Sequence, residues 1–203
     1  MRLIKKRGKL FRKKDKLKFK TVMPDEIGNA EFNSKMCAFL SDASFGLNFD
    51  NEKEPVCIAV KSMLRKCILN AVNDGYRHFI TGMSMGTDIW AAEIILTLKH
   101  LHEMWGKKIY LYAAVPFENQ DRYWNEDERL RYKNVLDECD KIYIISNLSD
   151  REQYYKRNEF VIQHSNLIVS LKGDDETDGK SITDKAIALG KEVKVIDSQQ
   201  IAV

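Results

Sequence analysis

The stretch Phe79-Ile80-Thr81-Gly82-Met83-Ser84-Met85-Gly86-Thr87-Asp88-Ile89-Trp90-Ala91-Ala92-Glu93 reads as a strand, a glycine turn and a helix in direct succession. Arg77 to Thr81 supplies the short apolar run of a buried strand, and Gly86 to Trp105 carries a long helical pattern that stops at Gly106. Two glycines four positions apart let the backbone approach a ligand closely and adopt positive φ. The free N–H groups at the helix start, together with the positive end of its dipole, favour an anion. Ser84 and Thr87 add hydroxyls, and Asp88 suits a helix cap or an acceptor for a ribose or base. The competing reading is a turn needed only for packing helix on sheet, with Thr87 or Asp88 as N-cap.

Outward from this unit, short apolar runs alternate with amphipathic stretches from about Lys35 onward. The first strand is expected at Lys35 to Leu40, followed by a helix over Pro55 to Asn73 with Pro in its first turn and Gly75 past its end. A third strand, Lys108 to Val115, is apolar on both faces, as strands covered on both sides are. Helices over Asn125 to Cys139, Arg151 to Gln163 and Ile182 to Leu189 then alternate with strands at Lys141 to Ile145, Asn166 to Leu171 and Val193 to Ile196. This rhythm predicts an α/β, Rossmann-like three-layer fold with a mainly parallel sheet of about six strands and helices on both faces. The expected organisation is a basic extension over residues 1–33 and one domain over 34–198, since 203 residues support one sizeable core.

The net charge of +3 conceals an asymmetry. Residues 1–20 hold eleven Lys or Arg against one acid, a net +10, which leaves 22 basic and 29 acidic side chains, a net −7, on the other 183. Such a tail is either an arm for nucleic acid or an anionic membrane, or a solvated extension. The four cysteines form no C-x-x-C pair and read as reduced core residues, which places the chain in the cytoplasm. No apolar run reaches the roughly 20 residues of a membrane span, and the N-terminus lacks the apolar segment of a secretory signal. A homo-oligomer is left open.

In an open parallel sheet, ligands sit beyond the carboxyl ends of the strands. Pro116, Phe117, Gln120 and Trp124 follow the third strand, where the two aromatics could stack a base and the amide read its edge, or cap the core. Arg157 and Asn158 follow the fourth, with Arg157 suited to bidentate phosphate recognition or to a surface ion pair. Gly179-Lys180-Ser181 resembles the end of a P-loop, but the required earlier glycine position holds Asp174, and Gly173 is one residue too far. Catalytic candidates are few. Glu93, on an otherwise apolar helical segment, reads as a buried orienting group or a general acid or base, and Asp88 is the other carboxylate at the turn. The four histidines read as surface or capping residues, and no residue set is assigned to a metal.

With these residues in place, the chain resembles the SLOG superfamily, and within it the YpsA-like branch, over about Met36 to Ile196. Phe79 to Glu93 carries the resemblance, supported by Pro116-Phe117, Gln120, Trp124 and Arg157-Asn158 in the same order. The resemblance implies a Rossmann-like fold and a site for a nucleotide-derived ligand such as a nucleoside monophosphate or ADP-ribose. The wider superfamily includes phosphoribohydrolases, DNA-processing proteins and sensor domains. Two segments depart from its pattern: Phe39-Leu40-Ser41-Asp42-Ala43-Ser44 stands where Phe-Thr-Gly-His-Arg-Pro is usual, and Gly179-Lys180-Ser181 where Gly-Gly-Thr is usual. The expected function is therefore a binding or sensing module for a phosphorylated nucleotide-like ligand, with nucleotide N-glycosidic cleavage and single-stranded nucleic-acid binding as alternatives. The expected ligand residues are Thr81 to Asp88, Pro116, Phe117, Gln120, Trp124, Arg157, Asn158 and Gly179 to Ser181.

Overall fold

The computed structural model describes residues 19–21, 35–41, 51–104, 108–172 and 182–197. In chain order its elements are β1 (Phe19–Thr21), β2 (Met36–Ser41), α1 (Pro55–Asn73), β3 (His78–Thr81), α2 (Thr87–Glu103), β4 (Tyr110–Phe117), a 3-10 turn (Gln120–Tyr123), α3 (Glu126–Glu138), β5 (Lys141–Ser146), α4 (Glu152–Gln163), β6 (Leu167–Lys172), α5 (Ile182–Ala188) and β7 (Glu192–Asp197). All strand pairs are parallel, in the order β1-β5-β4-β3-β2-β6-β7. Six strands were expected, and all six are present. The seventh, β1, is a three-residue edge strand that the basic composition around it had hidden.

Alternation along each strand builds the two halves of the core. Cys37 and Phe39 face one layer with Phe79, Leu111, Ala113 and Ile142, where α1, α2 and α3 pack. Met36, Ala38 and Leu40 face the other with Ile80, Ala114 and Tyr143, against Phe160, Val161 and Ile162 of α4 and Ala186 of α5. The layering follows from handedness: β2 to β5 step one way across the sheet and β6 and β7 step back, so right-handed crossovers put their helices on opposite faces. The order reverses between β2 and β6, which marks the crevice where ligands of open α/β sheets sit. The glycine turn leaves β3, one strand from that crevice.

Element ends moved where local chemistry was underestimated. β4 runs on through Pro116 and Phe117, assigned from sequence to the following loop, because β3 pairs with it only as far as Ala113 and Pro116 falls between the two residues that pair with β5. Val115 pairs with Ile144 and Phe117 with Ser146 across it. α3 starts at a capping box in which the Asn125 side chain accepts from the Glu128 N–H at 2.9 Å and Glu128 accepts from the Asn125 N–H at 2.9 Å.

Candidate functional site

The glycine turn is held from behind by a buried pair. Arg157, on α4 and 4% exposed, donates through Nη1 to the Gly82 carbonyl and through Nη2 to Ser84 Oγ at 3.0 Å. Its Nη1 also lies 3.9 Å from Asp88 Oδ2. Asp88, 2% exposed in the first turn of α2, accepts the Ser84 N–H at 3.0 Å on the same oxygen. Burial pushes the Asp88 carboxyl up to about 6 against the opposing pull of Arg157, and burial lowers the Arg157 guanidinium. Thr81 donates through its hydroxyl to the Asp88 carbonyl at 3.2 Å and accepts from the Met83 N–H at 3.3 Å. Gln120 donates from Nε2 to the Met83 carbonyl at 2.9 Å. Met83 itself is buried with φ at 57°, a left-handed conformation that these contacts sustain.

The front of the turn is built differently. Gly86 is the N-cap of α2, with a φ of 84° and ψ of −116° that favour glycine, and no side chain caps the helix. The Trp90 N–H bonds back to the Gly86 carbonyl at 2.9 Å, closing the first turn. The Thr87 hydroxyl and Asp88 Oδ1 are buried without hydrogen-bond partners among the described residues. Beside this helix start runs a narrow cleft lined by Glu52, Met85, Gly86, Ile89, Trp124, Glu128 and Arg131.

A charged knot forms one wall of that cleft. Glu52, just before α1, accepts from Lys61, from Arg131 Nη1 and from the Trp90 Nε1–H at 2.7 Å. Three donors from three helices hold its carboxyl down at about 2 although burial opposes them. Arg131 also reaches Glu93 through Nε at 2.8 Å and Nη2 at 2.7 Å. Lys61 lies over the Trp90 ring, 4.7 Å from its centroid.

The sequence-derived residues thus separate into groups. Thr81 to Asp88 form one turn, with Arg157 and Gln120 packed behind it, so the cation and amide expected to read a ligand hold the loop itself. Trp124 is half-buried on the cleft, edge-on to Tyr132 at 5.2 Å. Pro116 and Phe117 lie in β4, and Phe117 meets the Tyr154 ring edge-on at 5.4 Å. Asn158 has its side-chain oxygen buried and unpartnered among the described residues. Glu93 is 39% exposed and tied to Arg131, not sunk in the apolar segment around it. Residues 42–44 of the departing first-strand segment and Gly179, Lys180 and Ser181 lie outside the described residues. Arg131, Glu52 and Glu128 were missed. Arg131 sits among charged neighbours on a polar helix, and its partners are 79 and 38 positions away, so no local pattern reveals it.

Among the described residues no helix is long and apolar enough to cross a membrane, and no cluster of His, Cys, Asp and Glu could hold a metal. Comparison with known proteins agrees with this architecture. A UPF0398 protein of Halalkalibacterium halodurans is 27% identical over 119 residues, 58% of this chain and 61% of that protein. The SPbeta prophage-derived protein YoqJ of Bacillus subtilis is 30% identical over 135 residues, 59% of this chain and 75% of its own length. The crystal structure of DNA processing protein A from Streptococcus pneumoniae superposes with a TM-score of 0.50 at 13% identity, over 81% of this chain and 50% of the larger one, a likeness of fold. The YspA SLOG family model matches residues 42–201, which takes in β3, the glycine turn, α2 and the cleft beside them; the chain belongs to the YspA SLOG family.

Proposed function

We propose that this chain is a binding or sensing module for a nucleotide-derived, phosphorylated ligand, held at the Thr81 to Asp88 turn and not turned over. One observation carries the reading: α2 follows its N-cap Gly86 without a side-chain cap, on a turn made rigid from behind by a buried Arg157–Asp88 pair. A rigid turn that leaves a helix start uncapped keeps backbone N–H groups ready for an anion, at little reorganisation cost on binding. Trp124 on the adjoining cleft offers a ring for a base. Four cysteines outside any disulfide, two of them buried, suit the reducing cytoplasm where nucleotides are abundant.

The two candidate carboxylates support binding over turnover. Asp88 is buried and committed to the Ser84 N–H, and Glu93 is committed to Arg131. Cleavage of an N-glycosidic bond needs a carboxylate free to reach the substrate. Thermal-shift measurements against AMP, cyclic AMP, ADP-ribose and NAD test the reading, because a ligand that binds the native state raises the melting temperature. Stabilisation without release of ribose 5-phosphate supports it. No stabilisation by any of the four refutes it, and release of ribose 5-phosphate from AMP replaces it with the hydrolase reading.

A further inference from the structure

We infer that Arg131, and not Arg157, is the side-chain cation that receives the ligand's terminal phosphomonoester; this deepens the function proposed above and rests on it. Of the two arginines near the turn, Arg157 lies 4% exposed behind Gly82, with both terminal nitrogens engaged by the loop. Arg131 has a side chain 36% exposed and is the one cation lining the cleft at Gly86 among the described residues. A guanidinium carries five N–H donors. Glu93 takes two from Arg131 and Glu52 one, which leaves two for a ligand oxygen.

The same cleft borders the uncapped start of α2 at Gly86. A helix start and a guanidinium with spare donors border one cleft, a site for one phosphoryl group. The two carboxylates that line the cleft oppose a longer phosphate chain. Glu128 is held by the Asn125 N–H, while Glu52 shares Arg131. The water-accessible volume of the cleft is about 20 Å³, room for one water. A phosphoryl group therefore enters as Arg131 parts from Glu52, and Glu52 acts as a latch that the ligand displaces.

The test measures AMP and adenosine affinity by calorimetry at pH 7.5 for the full chain, Arg131→Gln, Glu52→Gln and the double variant. Loss of a charge-assisted hydrogen bond weakens AMP binding roughly tenfold or more in Arg131→Gln, with adenosine unchanged. Glu52→Gln, which frees the guanidinium, tightens AMP binding, and the gain disappears in the double variant. AMP affinity in folded Arg131→Gln within twofold of the parent overturns the inference while leaving the proposed function standing. Should Arg131→Gln fail to fold, Glu52→Gln decides alone, and unchanged AMP affinity there overturns it. A parent chain that binds neither AMP nor the other nucleotides overturns both readings.

Discussion

Gly82→Ala tests the rigid turn where it is tightest. A Cβ at position 82 would lie 2.4 Å from Arg157 Nη1, 2.8 Å from its guanidinium carbon and 2.9 Å from Asp88 Oδ2. Ordinary contact begins near 3.4 Å, so the guanidinium must retreat by about 1 Å. It cannot retreat freely, because Gly82 and Ser84 hold its nitrogens and the side chain is buried. Overpacking against a buried guanidinium costs roughly 2 kcal/mol. In urea unfolding, with a slope of about 2 to 3 kcal/mol/M, the midpoint falls by roughly 0.7 to 1 M. Gly75→Ala is the contrasting control: its φ is +89° with nothing within 4 Å of a Cβ, so it incurs only the left-handed backbone cost of about 1–2 kcal/mol. In an Arg157→Gln background the Gly82→Ala cost shrinks, since the clashing group has gone. A loss below about 0.5 kcal/mol for Gly82→Ala, or an undiminished loss in that background, would refute the argument.

Three further outcomes follow from the same contacts. Arg157→Ala removes the counter-charge of the buried Asp88 and the donor to the Gly82 carbonyl, and loses about 3–5 kcal/mol by urea unfolding; a loss under about 1 kcal/mol would show that the pair is not a brace. The carboxyl of Asp88 is raised from 3.8 to about 6, so the folded state holds its proton more tightly and the associated stability is present below pH 3.8 and lost as pH rises through about 6. Unfolding free energies measured from pH 4 to 7 in the parent and Asp88→Asn isolate that contribution, and parallel curves contradict it. Asn125→Ala removes the N-cap of α3 and costs about 1 kcal/mol, read as a lower urea midpoint with unchanged slope.

Much of the fold is legible in the sequence because its decisive signals are local. The alternation of apolar runs with helical periods places β2 to β7 and α1 to α5, and Pro55 and Gly75 bracket α1 without any tertiary information. What escapes is non-local. The strand β1 pairs with Ile142 to Ile144 more than a hundred residues away and carries no apolar signature of its own. Element ends at Pro116 and Phe117 depend on pairing across to Ser146, which no single strand reveals. The site was legible to the same degree. The turn from Gly82 to Gly86 is a local pattern, whereas the inward use of Arg157 and Gln120 and the position of Arg131 depend on packing between α2, α3 and α4.

Polar residues gathered at one sheet edge cannot all be counted toward a ligand, because a loop with two glycines needs its own supports. Arg157, Asp88, Thr81 and Gln120 satisfy the turn from behind. Most of their bonds are to backbone groups of the turn, and buried backbone groups are costly to leave unsatisfied. What faces the cleft is then chiefly Gly86 backbone, Trp124 and the Arg131 knot. The backbone part of an anion site depends on the shape of the chain more than on neighbouring side chains. On the proposed reading, the turn can therefore keep the family pattern over Phe79 to Glu93 while residues 42–44 and Gly179 to Ser181 depart from it. The departures would change which ligand is admitted, and the turn would still decide where its phosphate rests.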